Sequence, residues 1–82
     1  MNVKVLGTRV LNFKTDKGET VNGTQIFVCY QYQGVDGYLT DKIFVPSNSP
    51  VKLPVFKYGE EYKFVYSGIG RRQTLTEIIP VA

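Results

Sequence analysis

The sequence predicts an all-β domain: a small five-stranded antiparallel barrel with an extended β-hairpin arm and no regular helix. Three observations carry this. Runs of β-branched and aromatic residues recur between glycine-rich turns. Prolines at 46, 50 and 54 exclude a regular helix from the one long connection. A glycine interrupts the first apolar run, as at the corner of a small barrel.

The elements follow in order. Residues 1–13, MNVKVLGTRVLNF, read as one long, bent first strand. Val3 and Val5 alternate with Asn2 and Lys4, Gly7 interrupts, and Val10, Leu11 and Phe13 resume. Residues 14–23, KTDKGETVNG, are polar and lack helical periodicity, and Asp16-Lys17-Gly18 reads as a turn. This is an arm between strands 1 and 2, either a solvated loop or a wing that grips a ligand.

Strands 2 and 3, residues 24–33 and 38–45, flank Gly34-Val35-Asp36-Gly37, whose two glycines supply positive φ for a hairpin. In strand 2, Phe27 and Cys29 share one parity, and Ile26, Val28, Tyr30 and Tyr32 the other. A strand apolar on both faces is central or is covered by a partner. In strand 3, Leu39, Ile43 and Val45 share one face and Tyr38, Thr40, Lys42 and Phe44 the other. Asp41 falls on the apolar parity, which predicts a bulge or strand end nearby.

Residues 46–59 form a crossover loop pinned by Leu53, Val55 and Phe56. Strand 4, residues 60–67, sets Tyr62, Phe64 and Tyr66 on one face. Gly68-Ile69-Gly70 turns the chain, Arg71-Arg72 follow, and residues 73–81 give strand 5. Nothing repeats, so residues 1–82 form a single domain. Among five-stranded barrels the OB-fold is the leading candidate and an SH3-like barrel the next.

A chain of 82 residues buries a modest core, so dimerisation would help it. The doubly apolar second strand and the Tyr62/Phe64/Tyr66 face point the same way, to a homodimer. A net charge of +3 permits a nucleic-acid or membrane-surface partner without demanding one. Cys29 is the only cysteine, which excludes an intrachain disulfide; inside an apolar run it reads as a small buried hydrophobe. A single thiol, no leader pattern and no apolar run near ~18 residues point to a cytoplasmic protein with no membrane partner.

Much chemistry is excluded. The chain has no histidine, hence no imidazole base or histidine metal site. One cysteine cannot build a zinc site, and no phosphate-binding glycine loop occurs. Glu60 and Glu61 are strand neighbours that point to opposite faces. No enzyme, metal or cofactor is expected.

What remains is aromatic and basic. Six tyrosines and five phenylalanines exceed the needs of so small a core. Single-stranded nucleic acid is held by rings that stack on bases and cations that meet phosphates. Lys42 lies between Tyr38 and Phe44 on one face, Lys14 and Lys17 sit in the arm, and Arg71 and Arg72 sit at the last turn. Tyrosine is also a common sheet residue, so some rings belong to the barrel wall or a subunit interface.

In this context the chain resembles the small single-stranded DNA-binding proteins of filamentous phages, the helix-destabilising or gene V-type family. The similarity lies in Asn12-Phe13 leading into the arm, Val28-Cys29-Tyr30, the third strand with its outward lysine, the Gly68–Arg72 turn and the ending Ile78-Ile79-Pro80-Val81. The arm departs from a purely basic wing, since Asp16 and Glu19 stand beside Lys14 and Lys17. The resemblance implies an OB-fold homodimer that coats single-stranded phage DNA during replication, cooperatively and independent of sequence. Carried over by position, Lys14, Lys17, Ile26, Tyr30, Tyr38 and Lys42 would face the DNA. Arg71 and Arg72 would serve dimerisation, DNA contact from the partner subunit, or both. RNA is the alternative strand, and a protein-interaction barrel whose aromatic face meets a protein is the alternative class.

Overall fold

The structure is a computed structural model and describes residues 2–81. Met1 and Ala82, included in the expected domain, lie outside the described residues. Five strands form: β1 (Asn2–Lys14), β2 (Thr20–Tyr30), β3 (Leu39–Pro46), β4 (Glu61–Ser67) and β5 (Thr74–Pro80). They make one antiparallel sheet in the order β3-β2-β1-β4-β5, and no described residue is helical.

The predicted bend in β1 is a bulge. Val5 pairs with Val28 and Gly7 with Phe27, so Leu6 is an extra residue on β1. Before the bulge β1 lies between β2 and β4; Val3 pairs with Tyr62 and Lys4 with Glu61. After it, β1 pairs with β2 alone; β2 keeps β3 beside it back to Gly23, and beyond that point β1 and β2 continue as a two-stranded ribbon. The return half of the arm is therefore strand: β2 begins at Thr20 rather than at residue 24, with Lys14 opposite Thr20 and Phe13 opposite Val21. The Gly18 N–H donates to the Thr15 carbonyl (2.9 Å) and the Thr15 N–H to the Glu19 carbonyl (2.7 Å). Gly18 closes this turn at φ 81°, a conformation costly for a residue with a Cβ.

β2 ends at Tyr30, before its predicted end at 33. Residues 31–38 form the connection, with a turn closed by the Val35 N–H on the Tyr32 carbonyl (3.1 Å). Gly34 and Gly37 take positive φ there, as their placement predicts.

One face of every strand meets in a single core. Val3 and Val5 of β1, Ile26 and Val28 of β2, Val45 of β3, Tyr62 and Phe64 of β4, and Ile78 of β5 pack together with Val51. A sheet whose five strands share one cluster must coil upon itself. No ladder joins its ends, β3 and β5. Between them lies a cleft of about 280 Å³, lined by Ile43, Val45, Val51, Tyr66 and Leu75 among others. The all-β, five-stranded antiparallel class that the sequence predicts is the one formed.

Two expectations are corrected by the core. Tyr62 and Phe64 are not a face free for a second subunit; both are buried inside the chain, and only Tyr66 reaches solvent. The crossover loop is pinned by Val51 and Phe56, whereas Val55 is 96% exposed and Leu53 also faces solvent. Phe56 meets Tyr62 edge to face at 4.9 Å, and the Lys57 N–H donates to the Tyr62 hydroxyl (2.7 Å). The Gly59 N–H and the Glu60 carbonyl both bond to the Val5 backbone, which satisfies β1 where the bulge interrupts its ladder.

β2 and β3 approach closely at Gly23, opposite Pro46. A Cβ at Gly23 would overlap the Phe44 ring and the Val45 carbonyl oxygen. Gly23→Ala is therefore expected to cost roughly 1–3 kcal/mol, because neighbouring backbone must shift. Gly7→Ala, where a Cβ meets nothing within 4 Å, is expected to change stability by less than about 0.5 kcal/mol. Urea denaturation of the two variants reads the difference.

Candidate nucleic-acid interface

The bulge decides what the outer face of β1, β2 and β3 presents. Directly opposed residues of an antiparallel pair share a face. The rows on the side away from the core are Lys4–Cys29–Thr40, Gly7–Phe27–Lys42, Arg9–Gln25–Phe44 and Leu11–Gly23–Pro46. Phe13 and Val21 continue the face along the arm. Three cations, Lys4, Arg9 and Lys42, thus alternate with Phe27, Phe44 and, just before β3, Tyr38.

Each group has a defined setting. The Lys4 Nζ lies over the Tyr38 ring, 5.4 Å from its centroid, a cation–π contact. A hollow of about 250 Å³ adjoins them, with the buried Cys29 in its lining beside Tyr30 and Gln31. Cys29 is thus the small buried hydrophobe that its apolar run predicts. A second hollow of about 410 Å³ is lined by Leu6, Phe27, Val28, Thr40, Asp41 and Lys42. Arg9 Nη2 donates to Gln25 Oε1 (3.0 Å). Phe44 covers Gly23, which explains why this glycine is buried on an outer face. Among the described residues no polar or charged residue is buried; Arg9 and Lys42 are exposed and Lys4 is half-buried.

The residues singled out in the sequence fall into three groups. Tyr38, 54% exposed, and Lys42 stand together on the outer face. Lys14 and Lys17 are exposed at the arm tip, and Arg71 and Arg72 at the β4–β5 turn. These two tips lie outside the rows just described. Gln73 and Thr74, directly after the arginines, line the β3–β5 cleft with Phe44, so that turn borders the face at its β3 edge. Ile26 is corrected: it is fully buried in the core, out of reach of any ligand. Tyr30 is corrected in part. It shares the inner parity of Ile26 and Val28, packs against the core, and meets Tyr32 edge to face at 6.4 Å.

Sequence reading missed Lys4, Arg9, Gln25 and Phe27 as members of one surface. Simple alternation from Val3 and Val5 would turn Arg9 inward. Gly7 was the only signal that the parity changes.

Asp41 keeps the apolar parity but sits on the open β3 edge, where its carboxylate accepts the Lys42 N–H (2.7 Å). Across the cleft, Tyr66 has its phenol pushed above the usual value of 10.0, first by burial and then by the negative charge of Asp41. A raised folded-state pKa stabilises the fold below pH ~10, and that stability is lost as pH rises through the raised value. Ultraviolet titration is expected to place the Tyr66 ionisation above the usual phenol value, and Asp41→Asn is expected to bring it part of the way back.

No group of three or more His, Cys, Asp or Glu among the described residues could hold a metal ion. Among the described residues no helix is long and apolar enough to cross a membrane. Compared with family models, with curated proteins and with solved structures, the chain matches none.

Proposed function

We propose that this chain is a sequence-independent single-stranded DNA-binding protein that coats replication intermediates of a phage or other mobile replicon. The observation that carries the reading is the alternation of cations and rings on one uncovered sheet face. Rings projecting from a sheet stack on unpaired bases, whose faces are available only in single strands. Lysine and arginine between them meet the phosphates, and stacking tolerates every base. Lys14 and Lys17 on the arm, and Arg71 and Arg72 beside the β3 edge, extend the cationic track. A homodimer belongs to this reading because so small a core gains stability from a second copy.

A protein-interaction barrel is the second reading, and one observation favours it. Val10, Val55 and Ile69 are 79%, 96% and 91% exposed, and none lies on the cation–ring rows.

Tyrosine fluorescence separates the two. Poly(dT) is expected to quench it and salt to restore it; a partner-binding barrel does neither. RNA and duplex DNA titrated alongside read strand preference. Log K against log[salt] is expected to fall with a slope of roughly −0.7 per phosphate contact. Lys42→Ala, and Arg71→Ala with Arg72→Ala, are expected to flatten it. Tyr38→Ala is expected to leave the slope unchanged and cost about 1–3 kcal/mol. Normal binding by all these variants would remove the face and the turn from the DNA surface. Light scattering is expected to find a dimer at micromolar concentration, and monomer alone would remove that part.

A further inference from the structure

We infer that Gln25 is a positioning residue for Arg9, and that the row Arg9–Gln25–Phe44 is a subsite for one nucleotide. The phosphate would lie on the guanidinium and the base on the ring. This rests on the reading of the face as a single-stranded DNA surface.

Three observations carry it. Arg9 is tied by one N–H to Gln25 Oε1 at 3.0 Å. A guanidinium has five N–H donors in a planar fork, so one such bond orients it and leaves the others for a phosphate. Phe44 stands opposite Gln25 on the far strand, with its ring seated over Gly23. The ring is thus placed by backbone, as the cation is placed by the amide.

The spacing matters most. Neighbouring residues in a row lie roughly 4.5–5.5 Å apart, so Gln25 keeps the Arg9 cation and the Phe44 ring one strand apart. That separation leaves room for a phosphate on one side and its base on the other. Two rows away, Lys4 already lies on the Tyr38 ring, so a nucleotide there must first displace it.

A double-mutant cycle on the full chain tests this, with oligo(dT) as the probe and affinity read at several salt concentrations. Gln25→Ala is expected to weaken binding severalfold with the salt slope unchanged. Arg9→Ala is expected to weaken it more and to flatten the slope by roughly 0.7. The double variant is expected to match Arg9→Ala alone, because Gln25 acts through Arg9. Gln25→Glu places a carboxylate on the guanidinium, so it is expected to flatten the slope with Arg9 still present. Arg9 is exposed and Gln25 half-buried, and melting temperatures confirm that each variant folds. Arg9→Lys keeps the charge, and is expected to retain the slope while losing the dependence on Gln25.

Additive losses in the double variant would overturn the inference, as would full affinity in Gln25→Ala. Either result with a wild-type protein that binds oligo(dT) removes the subsite and leaves the wider reading standing. A wild-type protein that does not bind oligo(dT) removes both.

Discussion

Leu6, the extra residue in β1, determines which side of the sheet every later residue of that strand occupies. Val3 and Val5 point into the core; without the bulge, Gly7, Arg9, Leu11 and Phe13 would follow them. A one-residue slip moves a whole strand's side chains to the other face. Arg9 would then turn to the inner side and leave the outer rows. With the bulge, Arg9 and Phe13 join the outer face, and Thr8 lies opposite Ile26 on the inner one. β5 repeats the device. Its register shifts between Val65 and Tyr66, which turns Leu75 inward, and the Thr76 hydroxyl donates to the Val65 carbonyl there.

Once parity is set, the small core takes one face of every strand and leaves the other to water. The outer face of β1, β2 and β3 sets three cations, Lys4, Arg9 and Lys42, among apolar and small or polar neutral residues. Among the described residues no secondary-structure element covers it. Its apolar members are not free to collapse: Phe44 lies on Gly23, and Tyr38 lies against Lys4. A surface of rings held apart by cations has little use in stabilising a monomer. On the proposed reading it meets a chain of bases and phosphates.

The strand pattern was legible in the sequence because β-branched and aromatic runs between glycines allow few alternatives. The proline spacing correctly removed a helix, and Cys29 was rightly read as buried. The candidate face was only half legible. Lys42 and Phe44 share β3, where alternation is unbroken, and Tyr38 directly precedes it, so their common face could be read directly. Arg9 and Lys4 could not be joined to them, since a bulge is invisible to alternation and only Gly7 hints at it. Ile26 was misplaced because similarity by position ignores burial, and its own parity with Val28 argued for the core. The Tyr62 and Phe64 rings were misread as an interface because strand spacing gives a face without saying which side it lies on. The hairpin arm was legible, but its return strand was started at residue 24 rather than Thr20, because Thr20, Val21 and Asn22 pair through backbone with little apolar signal.

The most direct measurement is amide chemical-shift mapping of the isotopically labelled protein during titration with a short oligo(dT). The expected result is a continuous patch of perturbed amides along the outer rows of β1, β2 and β3, from Tyr38 and Thr40 through Phe27 and Gln25 to Phe13. β4 and the 47–60 loop are expected to stay quiet. Perturbations centred on Val10, Val55 and Ile69, or none at saturating oligonucleotide, would contradict the assignment of that face to single-stranded DNA.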